Sequence, residues 1–310
     1  MPAETSVRHL RPRPGEAGSI AILALWGVAI IAVLLAAATF TTRTEVRIAE
    51  NAIGGSRARL AAEAGTQLGL LRLLRRRTEG TRVFDGSAEI WQDGSTRVAV
   101  SIIDEAGKVD LNNAPLPLLA GLFAAVGRSR EAALLLACNV LERRGQSDGV
   151  CPEPGEDTPR RSQLFVVPEE LAQLPGFDDA LYDAVADYVT VATGASAIDP
   201  RVAARPVLLA IPGATPDLVD AFLENRARWR ELVSAGNTLN LLPGAAFVVI
   251  SPATDYTIKT VAATAGGARY RADLQVRLTD RDKAPYQIVA MRALPRDRGH
   301  SESVPARRAP

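Results

Sequence analysis

The residue types that most often carry out catalysis are scarce in the body of this chain. Its two histidines, His9 and His300, lie near the two ends, so none stands between them to activate a nucleophile or to bind zinc. Carboxylates and lysines are present, but the chain contains no phosphate-binding loop, dinucleotide-binding fingerprint, HExxH zinc motif or EF-hand loop. The sequence therefore predicts a protein that is not an enzyme.

Two cysteines, Cys138 and Cys151, are the other residues with reactive side chains. In an oxidising compartment they favour a disulfide, which contributes about 3 kcal/mol when it closes a loop of this length. The alternative is a pair of free, buried thiols. A metal site at the pair is not expected, because no histidine lies nearby.

The overall charge gives no indication of nucleic-acid binding. The chain has 36 basic and 35 acidic residues and a formal net charge of +1, so it lacks the positive field that attracts a phosphate backbone. Its length of 310 residues leaves room for one or two domains beyond an anchoring segment.

An uncharged apolar run over residues 19–40 is the strongest pattern in the sequence. At a rise of about 1.5 Å per residue, a helix of this length crosses a bilayer core of about 30 Å. The basic leader before it, residues 1–18, carries Arg8, Arg11 and Arg13, which places this end in the cytoplasm. We therefore expect a single-pass membrane protein whose N-terminus is cytoplasmic and whose main domain lies on the other side of the membrane.

Three kinds of N-terminal segment compete to explain this pattern. A cleaved secretory signal has an apolar region of about 7–15 residues, which is shorter than this one, although residues 36–38 offer small side chains for cleavage. An uncleaved signal anchor is the second. The third is a prepilin-type leader, which is cut before the apolar run, and the basic segment followed by Gly18 and Ser19 fits it best.

Beyond the apolar run, helical periodicity continues to about Arg77 and strand patterns follow. Asp93-Gly94 is a strong hairpin signal between two alternating segments. Strand patterns return late in the chain, and we expect the early and late strands to share one sheet. The late strands are expected at residues 247–250, 256–263, 270–278 and 286–291.

The block between these strands contains an internal repeat. Pro168 to Gly176 and Pro206 to Gly213 each read as a short helix that begins at proline and ends in a Pro-Gly turn, with a second helix after it. A weaker copy begins at Pro115 or Pro117. The pattern is similar to the helix-hairpin-helix motif, but the aspartates after residue 176 would repel phosphate, so we expect a scaffold of packed helix pairs instead.

Three segments, taken in order, resemble the minor pseudopilin of type II secretion called general secretion pathway protein K. They are residues 18–26, where Gly18 is followed by a small residue and an aliphatic run, residues 107–115, and the Pro-Gly repeat followed by residues 286–290. The resemblance covers about residues 15–293. It implies an α+β fold in which a long N-terminal transmembrane helix of the pilin type packs on a small antiparallel sheet, with a large inserted α-helical domain of helix-hairpin-helix-like (SAM-like) repeats.

The resemblance also implies a division of the chain into six parts. The leader and the transmembrane part of the helix come first, the rest of the helix and the first strands follow, and the last strands and a disordered tail end the chain after the insertion. The expected parts are 1–18 (leader), 19–40 (transmembrane), 41–109 (helix and first strands), 110–245 (helical insertion), 246–293 (remaining strands) and 294–310 (tail).

Processing by prepilin peptidase is a further implication of the resemblance. Cleavage after Gly18 leaves Ser19 as the mature N-terminus, and the fifth mature position is then Leu23. Most pilins carry glutamate there to pair with a neighbour's N-terminal amine, and members of the protein K family typically lack it. A subunit at the filament tip has no subunit above it, and an unpaired carboxylate buried there would be destabilising.

The implied role is to cap and nucleate the pseudopilus tip together with other minor pseudopilins, in support of protein export across the outer membrane. The implied partners are those minor pseudopilins, the major pseudopilin, the inner membrane, prepilin peptidase and, through the helical insertion, the secretin or the exported proteins. No nucleic-acid partner is expected. The alternative role is a signal-anchored periplasmic adaptor that binds partners through its helical repeats.

Some members of that family bind calcium in this domain, and one loop of this chain is acidic enough to consider. Calcium takes about six to eight oxygen ligands. The default interpretation is a solvated acidic loop, and no other cofactor is expected. The candidate calcium ligands are Asp148, Glu153, Glu156 and Asp157.

Overall fold

The computed structural model describes residues 16–79, 84–146, 149–152, 162–232, 242–250, 254–281 and 284–295, with side chains described except at 16–20, 38–44, 76–79, 227–232, 280–281 and 294–295. The chain divides into two compact units, residues 1–56 and 57–310. Most of the expected leader and tail, and all four candidate calcium ligands, lie outside the described residues.

The first element, helix α1, extends over Glu16–Glu79 and so includes the helix expected as far as Arg77. The remaining helices belong to the second unit. They are α2 (Leu116–Ala125), α3 (Arg130–Arg143), α4 (Asp179–Val185), α5 (Arg205–Leu209) and α6 (Pro216–Leu232), with 3-10 turns at Glu105–Gly107, Pro168–Gln173 and Ala245–Phe247.

The strands form one main sheet and one short ladder. The five-stranded sheet is antiparallel in the order β1-β2-β5-β6-β7, and the parallel ladder joins β3 to β4. The strands are β1 (Asp85–Asp93), β2 (Thr96–Asp104), β3 (Val109–Asp110), β4 (Val189–Thr190), β5 (Asp255–Thr264), β6 (Arg269–Arg281) and β7 (Ala284–Pro295).

This arrangement confirms the predicted α+β class and the sheet shared by early and late strands. The hairpin expected at Asp93-Gly94 joins β1 to β2, and Gly94 takes the left-handed conformation that the turn requires, with a φ of 54°. Strand β2 pairs directly with β5, although more than a hundred residues separate them in the sequence. The chain between these two strands folds as a separate group of helices, here called the helical block (residues 109–248).

Buried side chains alternate with more exposed ones along the central strand β2, so the sheet has an inner face and an outer face. On β2, Val98, Val100 and Ile102 are buried, and they pack with Tyr256 and Ile258 of β5 in one apolar core. Within the second unit, α1 covers this inner face and contributes its own buried side chains. Those side chains are Ala62, Leu70 and Leu73.

Two glycines of α1 let the helix approach the sheet closely. A Cβ atom at Gly65 would lie 2.8 Å from the Thr260 side chain, and one at Gly69 would lie 2.7 Å from Ile258. Beside them, the Thr66 hydroxyl donates a hydrogen bond to Thr260 Oγ1 at 3.0 Å. Glycine costs a helix about 1 kcal/mol relative to alanine, and this contact with the sheet explains why α1 carries it.

Among its described residues, the helical block contains three pairs of helical segments, the second of which begins with a 3-10 turn, and the three connecting turns are built alike. Gly127, Gly176 and Gly213 each adopt a positive φ, between 82° and 96°. Two residues after each glycine, a polar side chain caps the next helix by accepting a hydrogen bond from its first turn. These caps are Ser129 before α3, Asp178 before α4 and Thr215 before α6.

The buried carboxylate of Asp110 ties the start of the block to a later loop. It accepts hydrogen bonds from the backbone N–H groups of Asn112, Asn113, Thr193 and Gly194, and from the side chains of Asn113 and Thr193. Two turns, at residues 112–113 and 193–194, therefore meet at a single side chain of β3 that is 2% exposed. Complete hydrogen bonding makes such a buried charge tolerable.

The structure differs from the sequence-based expectation in two places. The strand expected at residues 247–250 is a 3-10 turn followed by an isolated bridge between Ile198 and Val248, because Val248 packs into the core of the helical block instead of the sheet. The helix expected to begin at Pro168 is a 3-10 turn.

Candidate functional site

The part of α1 between Ala21 and Ala37, in the first unit, is apolar on all sides. Between Ala21 and Ala37 every residue is exposed except Gly27, which is half-buried, and none is charged. Leu23, at the fifth position after the expected cut, is 71% exposed. A helix that is hydrophobic all round is normally buried in a membrane or among other helices.

Among the residues whose side chains the structure describes, no helix is both long and apolar enough to cross a membrane. The expected transmembrane segment, residues 19–40, includes positions at both ends whose side chains lie outside the described residues. Gly18 and Ser19, the expected cleavage site, lie within α1, and their side chains are likewise not described.

In the second unit, α1 has a second apolar surface on the side away from the sheet. Leu60, Leu68 and Leu71 are exposed there, at 64%, 45% and 44%. Their helical spacing places them opposite the residues that bury against the inner face of the sheet. We call these three residues the α1 outer stripe. Apolar side chains aligned in this way are suited to packing against another helix.

Strand β7, at one edge of the sheet, adds further exposed apolar side chains. It pairs with β6 along one side, and among the described residues no strand pairs with its other side. Ile288 and Met291 point to the same face as α1 and remain 53% and 60% exposed. Exposed edges of this kind are contact sites for other chains.

The junction between the sheet and the helical block is built from buried charges. Glu105 is 2% exposed, and it accepts hydrogen bonds from Lys108 at 2.6 Å and from Thr257 at 2.7 Å. Burial alone would raise the pKa of Glu105, but the charge of Lys108 and hydrogen bonds from Lys108, Thr190 and Thr257 outweigh it and hold the pKa below its usual range. The junction therefore keeps an ionised carboxylate in its interior at neutral pH.

Two adjoining clefts separate the outer face of the sheet from the helical block. Their volumes are about 280 and 480 Å³, and Lys108, Asp187, Lys259 and Arg271 line both. In the larger cleft, burial and then Glu169 raise the pKa of Tyr182 to about 12, so its hydroxyl stays protonated at neutral pH. The clefts are lined by cations and carboxylates together, and each of the named cations has an acidic neighbour.

The two cysteines are bonded to each other in the structure, with a Cα–Cα distance of 5.5 Å. The bond connects α3 to the short segment at residues 149–152. Within the part of the chain that the structure describes, no group of three or more His, Cys, Asp or Glu side chains is arranged to hold a metal ion. The acidic-loop calcium site stays a prediction, since its ligands lie outside that part.

No sequence pattern predicts the ion pairs across the clefts. Asp187 and Lys259 are 72 positions apart, and Glu169 and Arg292 are 123 positions apart. The helix caps are different, because a polar residue follows each turn glycine at a constant spacing. That regularity was visible in the sequence beside the Pro-Gly repeat.

By its architecture the chain is an α+β protein whose antiparallel sheet packs on a helix and carries a helical insertion between β2 and β5. No family model matches the chain, and no curated protein matches it. Among solved structures, it is similar to one chain of the GspK-GspI-GspJ complex from the enterotoxigenic Escherichia coli Type 2 Secretion System. The two chains share 12% sequence identity with a TM-score of 0.48, and the match covers 81% of this chain and 98% of that chain.

Proposed function

We propose that this protein is a minor pseudopilin of a type II secretion system and that it caps and nucleates the tip of the pseudopilus. The observation that carries the proposal is the uncharged helical segment directly after Gly18 and Ser19, whose described side chains are exposed and apolar. Its role is one of assembly, without catalysis. The order of motifs that resembles protein K supports the same proposal.

In this proposal, prepilin peptidase cuts after Gly18, and the helix from Ser19 onward holds the protein in the inner membrane with its main domain in the periplasm. On assembly the same helix leaves the lipid and packs among the helices of neighbouring subunits. Both environments suit a helix that is apolar on all sides. The basic leader stays on the cytoplasmic side until it is removed.

Leu23 supports a position for this subunit at the tip of the filament. A carboxylate at this position serves to neutralise the N-terminal amine of the next subunit above. Leu23 has no charge to offer, so the protein is suited to the one position in a filament where no subunit stands above it. A glutamate left unpaired in the apolar core of the filament would be destabilising.

The second unit supplies surfaces for the partners. The α1 outer stripe and the exposed side chains of β7 are suited to the other minor pseudopilins, because both surfaces are apolar. The helical block is the part available to the secretin or to exported proteins. Counterparts of GspI and GspJ, the proteins named in the solved complex, are the partners to test first.

The test is Gly18→Ala in the full-length chain, with the N-terminus read by mass spectrometry after extraction from membranes. We expect the wild-type chain to begin at Ser19 and the variant to keep its leader. Gly27→Ala is the matched control, because a Cβ atom there meets nothing within 4 Å, and it should be processed like the wild type. Normal processing of Gly18→Ala, or a wild-type N-terminus near Thr39, would refute the prepilin assignment and favour a signal-anchored adaptor or a cleaved signal.

A further inference from the structure

The sheet and the helical block have separate apolar cores. One core lies between α1 and the inner face of the sheet, the other lies among the helices, and the two share no residue. The chain passes from sheet to block at residues 105–108 and returns after Val248. The two clefts described above lie between these bodies, so polar contacts across the clefts have a large part in fixing how the block sits on the sheet.

Asp187 makes the most central of these contacts. It follows α4 in the helical block, and its carboxylate pairs with the ammonium group of Lys259 on the outer face of β5. Lys108 and Arg271 line the same two clefts, so three cations from the sheet and the junction surround one carboxylate of the block. Among the residues that line both clefts, Asp187 is the one with a carboxylate.

The electrostatics agree with that placement. Burial in the cleft tends to raise the pKa of Asp187, but the charges of Lys259, Lys108 and Arg271 and the hydrogen bond from Lys259 outweigh it and lower the pKa below its usual range. Lys108 and Arg271 also have partners of their own, since Lys108 lies 2.6 Å from Glu105 and Arg271 lies 3.1 Å from Asp273. The carboxylate of Asp187 therefore stays ionised throughout the physiological pH range.

Two further polar contacts join the same bodies. Arg292 of β7 pairs with Glu169 in the 3-10 turn at the start of the second helix pair, and Arg277 Nη2 donates a hydrogen bond to the carbonyl of Ala192 at 2.9 Å. The Asp187 side chain is 52% exposed, and ion pairs this open to water are individually weak. Contacts of that strength are reversible, and salt weakens them.

We propose that Asp187 is a latch. Its carboxylate, seated among Lys259, Lys108 and Arg271, holds the helical block against the outer face of the sheet, and its release lets the block move as one body. Each core remains intact during this motion because neither depends on residues of the other. The latch follows from the cleft and its charges, and it does not depend on the secretion role proposed above.

Hydrogen exchange of the full-length chain, followed by mass spectrometry, tests the latch with Asp187→Asn. We expect exchange to become about two- to five-fold faster at residues 168–173 and 284–295, which surround the Arg292–Glu169 contact, because an ion pair of this class shifts an opening equilibrium by that factor. Asp220→Asn is the matched control. It removes an ion pair of similar exposure, Arg205–Asp220, that lies inside the helical block and does not cross a cleft.

The latch is wrong if faster exchange in Asp187→Asn is confined to the residues next to 187. It is also wrong if Asp220→Asn speeds exchange at residues 168–173 and 284–295 to the same extent. A charge exchange, Asp187→Lys with Lys259→Asp, tests whether three cations or one hold the carboxylate. If Lys259 alone held the carboxylate, the double variant would regain the pair and the wild-type rate of hydrogen exchange. The three-cation arrangement predicts that it does not, because a lysine at position 187 would be repelled by Lys108 and Arg271. Wild-type hydrogen exchange in the double variant would therefore overturn it.

Discussion

The two apolar cores of the second unit differ in where they leave apolar side chains exposed. In the helical block, exposed side chains such as Leu135 and Leu164 lie on different segments around a core that is buried among its own helices. In the layer formed by α1 and the sheet, Leu60, Leu68 and Leu71 are exposed along one side of a single helix. A continuous apolar stripe is suited to contact with another chain, so under the proposed function we expect partners at α1 and the sheet.

The largest expected effect on stability is in the core of the helical block. Phe123 in α2 is fully buried and packs edge-on against Phe177 with a ring distance of 5.3 Å. Phe123→Ala should lower the free energy of unfolding by about 3–5 kcal/mol, because it removes buried apolar surface and leaves a cavity. Urea unfolding measures the change. Leu135→Ala on the exposed side of α3 is the control, and a similar loss in both variants would contradict the view that the block has a tightly packed core.

A smaller effect is expected where α1 meets the sheet. Gly65→Ala and Gly69→Ala each place a methyl group less than 3.0 Å from side chains of β5, and overpacking of this kind costs about 1–3 kcal/mol. Gly55→Ala provides the control, because a Cβ atom there meets nothing within 4 Å and alanine favours the helix. If thermal unfolding shows that Gly65→Ala and Gly69→Ala are stabilised as much as Gly55→Ala, then close approach to the sheet does not explain the glycines of α1.

The sequence allowed the two regions to be predicted to different depths. Local signals such as Asp93-Gly94, the strand alternation and the Pro-Gly turns are sufficient for the elements, because each depends on neighbouring residues. The strand predicted at residues 247–250 was wrong. Val248 is apolar because it packs in the core of the helical block, and a buried apolar run of this kind looks the same in the sequence as a buried strand. The contact of Asp187 with Lys259 could not be predicted, because it depends on how two independently packed bodies meet.

The smallest effect on the isolated protein is expected at the α1 outer stripe, and it separates folding from assembly. Leu60→Ser and Leu71→Ser remove exposed side chains, so each should change the free energy of unfolding by no more than about 0.5 kcal/mol. Under the proposed function, each should nevertheless reduce co-purification of the full-length chain with the other minor pseudopilins, because the stripe is where a neighbouring helix would bury apolar surface.

Leu135→Ser is the matched control for that experiment, since Leu135 is 53% exposed but belongs to the helical block. The two stripe variants and the control should be equally stable, and only the stripe variants should lose the partners. Equal loss in all three would mean that any exposed leucine supports association and that the open surface of α1 is not special. Retention of the partners by both stripe variants would transfer the assembly role to β7, whose Ile288 and Met291 are the next apolar side chains left uncovered on the same face of the sheet.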